Sequence, residues 1–279
     1  MLDCVTKDKT ESRVLLAEDN LVNQQVTYAM LERLGCTVVL ATDGREVFEA
    51  LQQTDYDLIL MDCQMPVVDG YTAATEIRRQ EQEVGVESRI PIIAVTANME
   101  EENRLRCFTA GMDDFLGKPF SMVLLKKILY RWLPPEKAID AKLTILPEDI
   151  SELSSPIPQG LANAALDKAA LDNIRQLQQP GQPDLLGKVI EIYLQDVPSM
   201  ITTLYRAVEQ RDAETVRREA HRLKSCSANL GATSMAASGR KLEEMGRNCE
   251  LGDAIGVLGS LEREFSLVQR ALMQESGVG

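Results

Sequence analysis

The sequence predicts an α/β doubly wound domain on a five-stranded parallel sheet, followed by an all-α helical bundle. Three observations carry this expectation. Residues 12–133 alternate short, nearly continuous apolar runs with amphipathic stretches, the pattern of a parallel sheet covered on both faces. Residues 134–165 break the pattern, with Pro134, Pro135, Pro147, Pro156 and Pro158 among Ser, Glu and Asp, and read as a semi-extended linker. Residues 166–275 keep helical spacing and carry no strand signal.

Five runs read as buried strands: Val14–Ala17, Val38–Leu40, Leu58–Met61, Ile92–Val95 and Phe115–Leu116. Helical spacing falls between them near 20–34, 43–53, 69–82, 99–110 and 121–132. Asn98 with Glu101 three residues on resembles a capping box. In the second part, helices are expected near 166–178, 184–210, 212–230, 233–248 and 253–275. Pro180, Gly181 and Pro183 separate the first two, Gly231 ends the third and Gly252 precedes the last. Short loops between long amphipathic segments imply antiparallel neighbours.

The 279 residues suit two domains. With 43 acidic and 30 basic residues the formal net charge is −13, which argues against general affinity for nucleic acid or anionic membrane. No apolar run approaches membrane-spanning length and the N-terminal segment lacks an apolar signal core, so a cytoplasmic location is expected. The six cysteines form no C-x-x-C pair and are expected to be free thiols. A single histidine leaves a zinc site without its usual ligands.

Chemistry-bearing residues collect at the strand ends. Glu18 and Asp19 follow the first strand, Asp62 the third, Thr96 the fourth and Lys118 the fifth. A parallel sheet brings these ends to one edge, where ligands sit in such folds. Each residue has an ordinary alternative: Asp19 or Asn20 caps a helix, and Lys118-Pro119 makes a turn. Together, three carboxylates, a hydroxyl and a lysine form a specific set. Clustered carboxylates favour a hard divalent cation, and Mg²⁺ keeps ligand positions for phosphoryl oxygens. Asp62 is then a nucleophile for an incoming phosphoryl group, with Lys118 and Thr96 contacting its oxygens.

The lone His221 lies in ETVRREAHRLKSCSANLGA. Val216, Ala220, Leu223, Ser227 and Leu230 share one stripe that faces the bundle core. His221 falls outside that stripe, with Arg217 and Arg218 one turn before and Lys224 and Ser225 one turn after. It is therefore expected to be exposed on a basic patch that favours a phosphoryl group on the imidazole.

The segments LLAEDN, LILMDCQMP, VTAN and GKPF closely resemble the receiver (response-regulator) family across residues 12–133. The resemblance implies a flavodoxin-like fold and Asp62 as phospho-acceptor. It implies Mg²⁺ held by Glu18, Asp19, Asp62 and the Gln64 carbonyl, with Glu18 where many relatives have Asp. It also implies switch roles for Thr96 and Phe115, and a cis Lys118-Pro119 peptide. The run Ala220–Lys224 with Leu230-Gly231-Ala232 resembles the histidine-containing phosphotransfer (HPt) family across residues 166–275. That implies a four-helix bundle with an accessory helix, His221 as phospho-carrier and Lys224 as its helper. Ser225 stands where many relatives have glycine, and is expected either to crowd the docking surface or to add a hydrogen bond.

The function implied is a phosphorelay: an upstream histidine kinase donates to Asp62, and His221 passes the group to a downstream response regulator receiver. The first helix suggests where the bundle docks. Val22, Val26, Met30 and Leu34 form its core face, while Leu21, Gln24 and Tyr28 lie opposite. The nearest rival is the C-terminal receiver–HPt portion of a hybrid sensor kinase. No kinase ATP-binding segment is recognisable in this sequence. A Mg²⁺-dependent phosphohydrolase with an aspartate nucleophile needs a second Asp where Gln64 stands. A DNA-binding regulator needs basic exposure on a recognition helix, but the basic residues here surround His221.

Overall fold

The computed structural model describes residues 12–85, 89–97, 99, 101–134 and 166–276. The expected linker, apart from Pro134, and the expected Asn98 cap lie outside the described residues.

The first part is a parallel sheet in the order β2-β1-β3-β4-β5. Its strands are β1 (Arg13–Ala17), β2 (Thr37–Ala41), β3 (Leu58–Asp62), β4 (Ile92–Thr96) and β5 (Asp114–Gly117). All five residues of β3 and of β4 are buried, as expected for central strands with helices on both faces. The helices are α1 (Leu21–Arg33), α2 (Gly44–Gln53), α3 (Gly70–Val84), α4 (Glu101–Thr109) and α5 (Met122–Trp132). Register fixes the functional edge. Ala17 pairs with Met61, Asp62 with Val95, and Thr96 with Gly117. The residues that end β1, β3, β4 and β5 therefore share one rim of the sheet.

Local chemistry sets the helix starts. Asn20, Asp43, Asp69 and Ser121 each accept backbone N–H bonds from the first turn that follows them, satisfying donors that a helix leaves unpaired. Asn20, rather than Asp19, caps α1, which frees Asp19 for other work. At Gly70, a Cβ would lie 2.1 Å from the Asp62 carbonyl oxygen. Only glycine lets α3 start this close behind the third strand.

The second part comprises α6 (Lys168–Gln176), α7 (Leu185–Glu209), α8 (Ala213–Asn229), α9 (Thr233–Arg247) and α10 (Ala254–Glu275). Its core is built from Val189, Tyr193, Val197, Leu204, Val216, Leu223, Leu242 and Leu258. The Tyr193 hydroxyl is paired with the Ser227 hydroxyl at 3.0 Å, which satisfies both where water is absent. The predicted α8 stripe of Val216, Ala220, Leu223, Ser227 and Leu230 is fully buried.

Two glycines let α9 lie against α8. A Cβ on Gly239 would sit 3.0 Å from the Lys224 nitrogen, and one on Gly246 would sit 2.6 Å from the Arg217 nitrogen. Both obstacles are backbone, so no side chain can swing aside. Gly246→Ala is expected to destabilise the chain by about 1–3 kcal/mol through overpacking. Gly259→Ala, in α10 with nothing within 4 Å of its Cβ, is expected to be neutral or to stabilise by up to about 1 kcal/mol. Denaturant unfolding of the two variants checks this; equal effects would contradict the packing account.

Candidate functional site: an acidic sheet edge under a buried histidine

Glu18, Asp19 and Asp62 each offer a carboxylate oxygen, and these atoms lie within 4.8 Å of one another. The Lys118 ammonium joins the group, 2.5 Å from Glu18 Oε2 and 2.7 Å from Asp62 Oδ2. The peptide after it, Lys118-Pro119, is cis. Asp62 Oδ1 accepts the Gln64 backbone N–H at 3.1 Å. Thr96 is buried at the end of β4. Phe115 lies half-buried in β5, edge-on to Phe108 with ring centroids 6.1 Å apart, and the Arg104 guanidinium stacks 4.4 Å from its ring.

The site is short of positive charge. Burial, with the Lys118 charge working against it and Asp62 and Asp19 adding to it, pushes the Glu18 carboxyl up to about 8. Burial and the Asp62 charge push Asp19 up to about 6, against the pull of Arg222. Burial disfavours the Lys118 ammonium, but Asp62 and Glu18 outweigh it and hold the group above its ordinary value. Lone carboxylates so disfavoured suit a site that takes a divalent cation.

The bundle covers this edge. Arg222 on α8 sends its Nε to within 3.1 Å of Asp19 Oδ2, an ion pair without hydrogen-bond alignment. Asn23 on α1 donates to Ser225 Oγ at 2.8 Å and accepts from Asn229 Nδ2 at 2.7 Å. Arg33 donates to the Gln176 carbonyl at the end of α6. Of the α1 residues expected to face away from the core, Leu21 is exposed. Tyr28 is half-buried and lines a groove with Leu177 and Leu185 of the bundle. Gln24 is buried and donates to the Glu18 carbonyl at 3.2 Å.

His221 departs from expectation. It lies outside the bundle's core stripe as expected, yet it is only 5 % exposed. The face of α8 that a lone bundle would leave open is packed against the receiver edge, and Arg222 and Ser225, beside His221, make the bonds across. The basic patch is also more balanced than the linear sequence suggests. Arg217 pairs with Glu214, Arg222 also with Glu219, and Lys224 with Glu243 at 2.5 Å. Ser225 does not crowd the surface; it accepts the bond from Asn23.

Glu243 on α9 is a residue the sequence reading missed. Its Oε1 lies 2.9 Å from His221 Nδ1. Burial works to raise this carboxyl, but the bonds to His221 and Lys224 override it and bring Glu243 down to about 2. A carboxylate at Nδ1 fixes the proton there and leaves Nε2 with the ring's lone pair. That Nε2 is buried and has no hydrogen-bond partner. The signal in the sequence was faint: Glu243 lies between Gly239 and Gly246, the two glycines on the α8-facing side.

The fold and the two sites define a pair of phosphotransfer modules. Residues 14–130 match the model of the response regulator receiver domain, and residues 188–271 match the Hpt domain. The chain is thus a fusion of a receiver domain and an Hpt domain, belonging to the families it was expected to resemble. The sensor histidine kinase AruS of Pseudomonas aeruginosa is 30% identical over 259 residues, 90% of this chain and 23% of that protein. The hybrid signal transduction protein dokA of Dictyostelium discoideum is 40% identical over 136 residues, 49% of this chain and 8% of that protein. The chain spans less than a quarter of the length of these relatives. Among solved structures, the receiver domain of the Pseudomonas aeruginosa sensor histidine kinase PA1611 is 48% identical, over 44% of this chain and 97% of that one. Its TM-score of 0.40 is too low to carry weight of its own. Among the described residues, no helix is long and apolar enough to cross a membrane.

The depressed Glu243 carboxyl has a consequence for stability. Its folded value of about 2 lies below the ordinary 4.5. Its contribution is therefore complete above the ordinary value and is lost as pH falls from there through the folded value. Urea unfolding at about pH 6 and about pH 3 should show wild type losing more stability than Glu243→Gln. Equal losses would mean that Glu243 is not held by these bonds.

Proposed function

We propose that this chain relays phosphoryl groups, with Asp62 as acceptor and His221 as the carrier that takes the group from it. The observation that carries this reading is the buried, unpartnered Nε2 of His221. It belongs to the stretch of α8 whose neighbours Arg222 and Ser225 are bonded to the acidic edge. A buried polar atom without a partner is costly, and a phosphoryl group carried on Asp62 would supply one.

Glu18, Asp19 and Asp62, with the Gln64 carbonyl, are the residues that would hold Mg²⁺. When bound, the ion supplies charge neutralisation at phosphoryl oxygens. Lys118 would pair with a phosphoryl oxygen once Asp62 is modified, and Thr96, the last residue of β4, would donate its hydroxyl to another. In the transfer, the bond from phosphorus to an Asp62 oxygen breaks as the bond to Nε2 forms. Asp62 leaves as a carboxylate. No proton need move, because the Nδ1 proton stays on the ring and the positive charge the ring gains faces Glu243. Lys224 holds Glu243 in place from its other oxygen. Phe115 and Thr96 are proposed to rearrange when Asp62 carries charge.

The partners proposed are an upstream histidine kinase that loads Asp62 and a downstream response regulator that unloads His221. A second reading, that these two domains are part of a longer hybrid kinase, draws on the alignment to AruS across nearly the whole chain. Both readings share the Asp62–His221 chemistry.

The test is to load the protein with a small acyl phosphate and Mg²⁺ and to type the bonds formed. Wild type should gain both hydroxylamine-sensitive acyl phosphate and acid-labile phosphohistidine. His221→Gln should gain acyl phosphate alone, and Asp62→Asn neither. Phosphohistidine in Asp62→Asn would contradict the proposed order.

A further inference from the structure

Asn23 uses its whole side chain at the junction. Its two amide hydrogens go to different domains: one to Glu18 Oε1 at 2.9 Å, within the receiver, and one to Ser225 Oγ at 2.8 Å, on the bundle. Its carbonyl oxygen accepts from Asn229 Nδ2 at 2.7 Å, one turn further along α8. Asn23 and Ser225 are 2 % and 5 % exposed, so water is in no position to replace either bond. Glu18 is one of the three clustered carboxylates and also receives Lys118. A single amide thus ties a carboxylate of the acceptor site to the helix that carries His221.

We propose that Asn23 and Ser225, supported by Asn229, form the pair that selects this chain's own bundle for its own receiver and sets Glu18 when that bundle docks. This rests on the Asp62-to-His221 reading and deepens it by naming its specificity determinants. The physical basis is the asymmetry of buried hydrogen bonds: the pair gains modestly when made and costs heavily when half-made. A bundle lacking the hydroxyl leaves the Asn23 amide with a buried unpaired hydrogen. A receiver lacking the amide strands both Ser225 and Asn229. Either mismatch penalises docking of a foreign partner. The surrounding ion pairs discriminate less, because any cation at the Arg222 position would satisfy Asp19. Asn23 and Ser225 are positioning residues; neither touches the reacting atoms.

The pair is tested in the full chain with Asn23→Ala, Ser225→Ala and the double variant. Asp62 is loaded with a small acyl phosphate and Mg²⁺, and the rate of phosphohistidine formation is divided by the acyl phosphate present. Each single change should slow transfer roughly tenfold, and the double variant should be no slower than Asn23→Ala. Small-angle scattering should show each variant shifted from a compact to an extended arrangement. Unfolding midpoints are measured alongside. Unchanged rates, effects that multiply in the double variant, or slowing that tracks lost stability without lost docking would each overturn the proposal. If wild type loads Asp62 but forms no phosphohistidine, the transfer reading falls and scattering decides the pair: a compact wild type opened by either change upholds it, and an already extended wild type overturns it.

Discussion

Three carboxylates held within 4.8 Å of one another and largely shielded from water set the terms for the rest of the molecule. Two unit charges at such a distance repel by roughly 4 kcal/mol at an effective dielectric constant of about 20. The sheet imposes this crowding, because parallel register brings the ends of β1 and β3 to one edge. The surrounding residues answer it. Lys118 reaches Glu18 and Asp62 from the end of β5, and Arg222 reaches Asp19 from the other domain. A divalent cation would complete the neutralisation. The acidic edge is also what makes the bundle's cationic α8 a fitting cover.

The bundle solves a complementary problem. A histidine that accepts a phosphoryl group needs one nitrogen free and the ring's charge compensated. Close approach of α9 to α8, made possible by Gly239 and Gly246, brings Glu243 to Nδ1 and leaves Nε2 unpaired. Lys224, on the turn after His221, holds the second oxygen of the same carboxylate. His221 is 5 % exposed, on a helix whose Arg222 and Ser225 are bonded to the receiver.

Much of this was legible in the sequence where the pattern is local. Apolar strands ending in Glu18-Asp19, Asp62, Thr96 and Lys118 needed only the parallel-sheet rule to converge. The α8 stripe needed only helical periodicity. What depended on two elements meeting was harder to see. His221 read as exposed because periodicity places a residue on its own helix and shows neither Glu243 of α9 at its ring nor the receiver bonded to Arg222 and Ser225 beside it. Asn23 carries no signal in the sequence, because its partners Ser225 and Asn229 lie 202 and 206 residues away on α8. Glu243 is one glutamate among many, 22 residues from its histidine. By contrast, the helix expected near 184–210 runs unbroken through Pro198 as the 25-residue α7, although proline inside a helix removes a backbone bond. Val197, Met200, Ile201 and Leu204 are buried around it, and this packing keeps the helix continuous.

The central claim is that Asp62 and His221 meet within one chain, and it is most directly tested by mixing two defective chains. Asp62→Asn and His221→Gln are combined, loaded with a small acyl phosphate and Mg²⁺, and compared with wild type over a range of protein concentrations. The docked arrangement predicts that wild type forms phosphohistidine at a rate independent of concentration, while the mixture is far slower and speeds up in proportion to concentration. A mixture as fast as wild type, or a wild-type rate that rises with concentration, would contradict transfer within the chain.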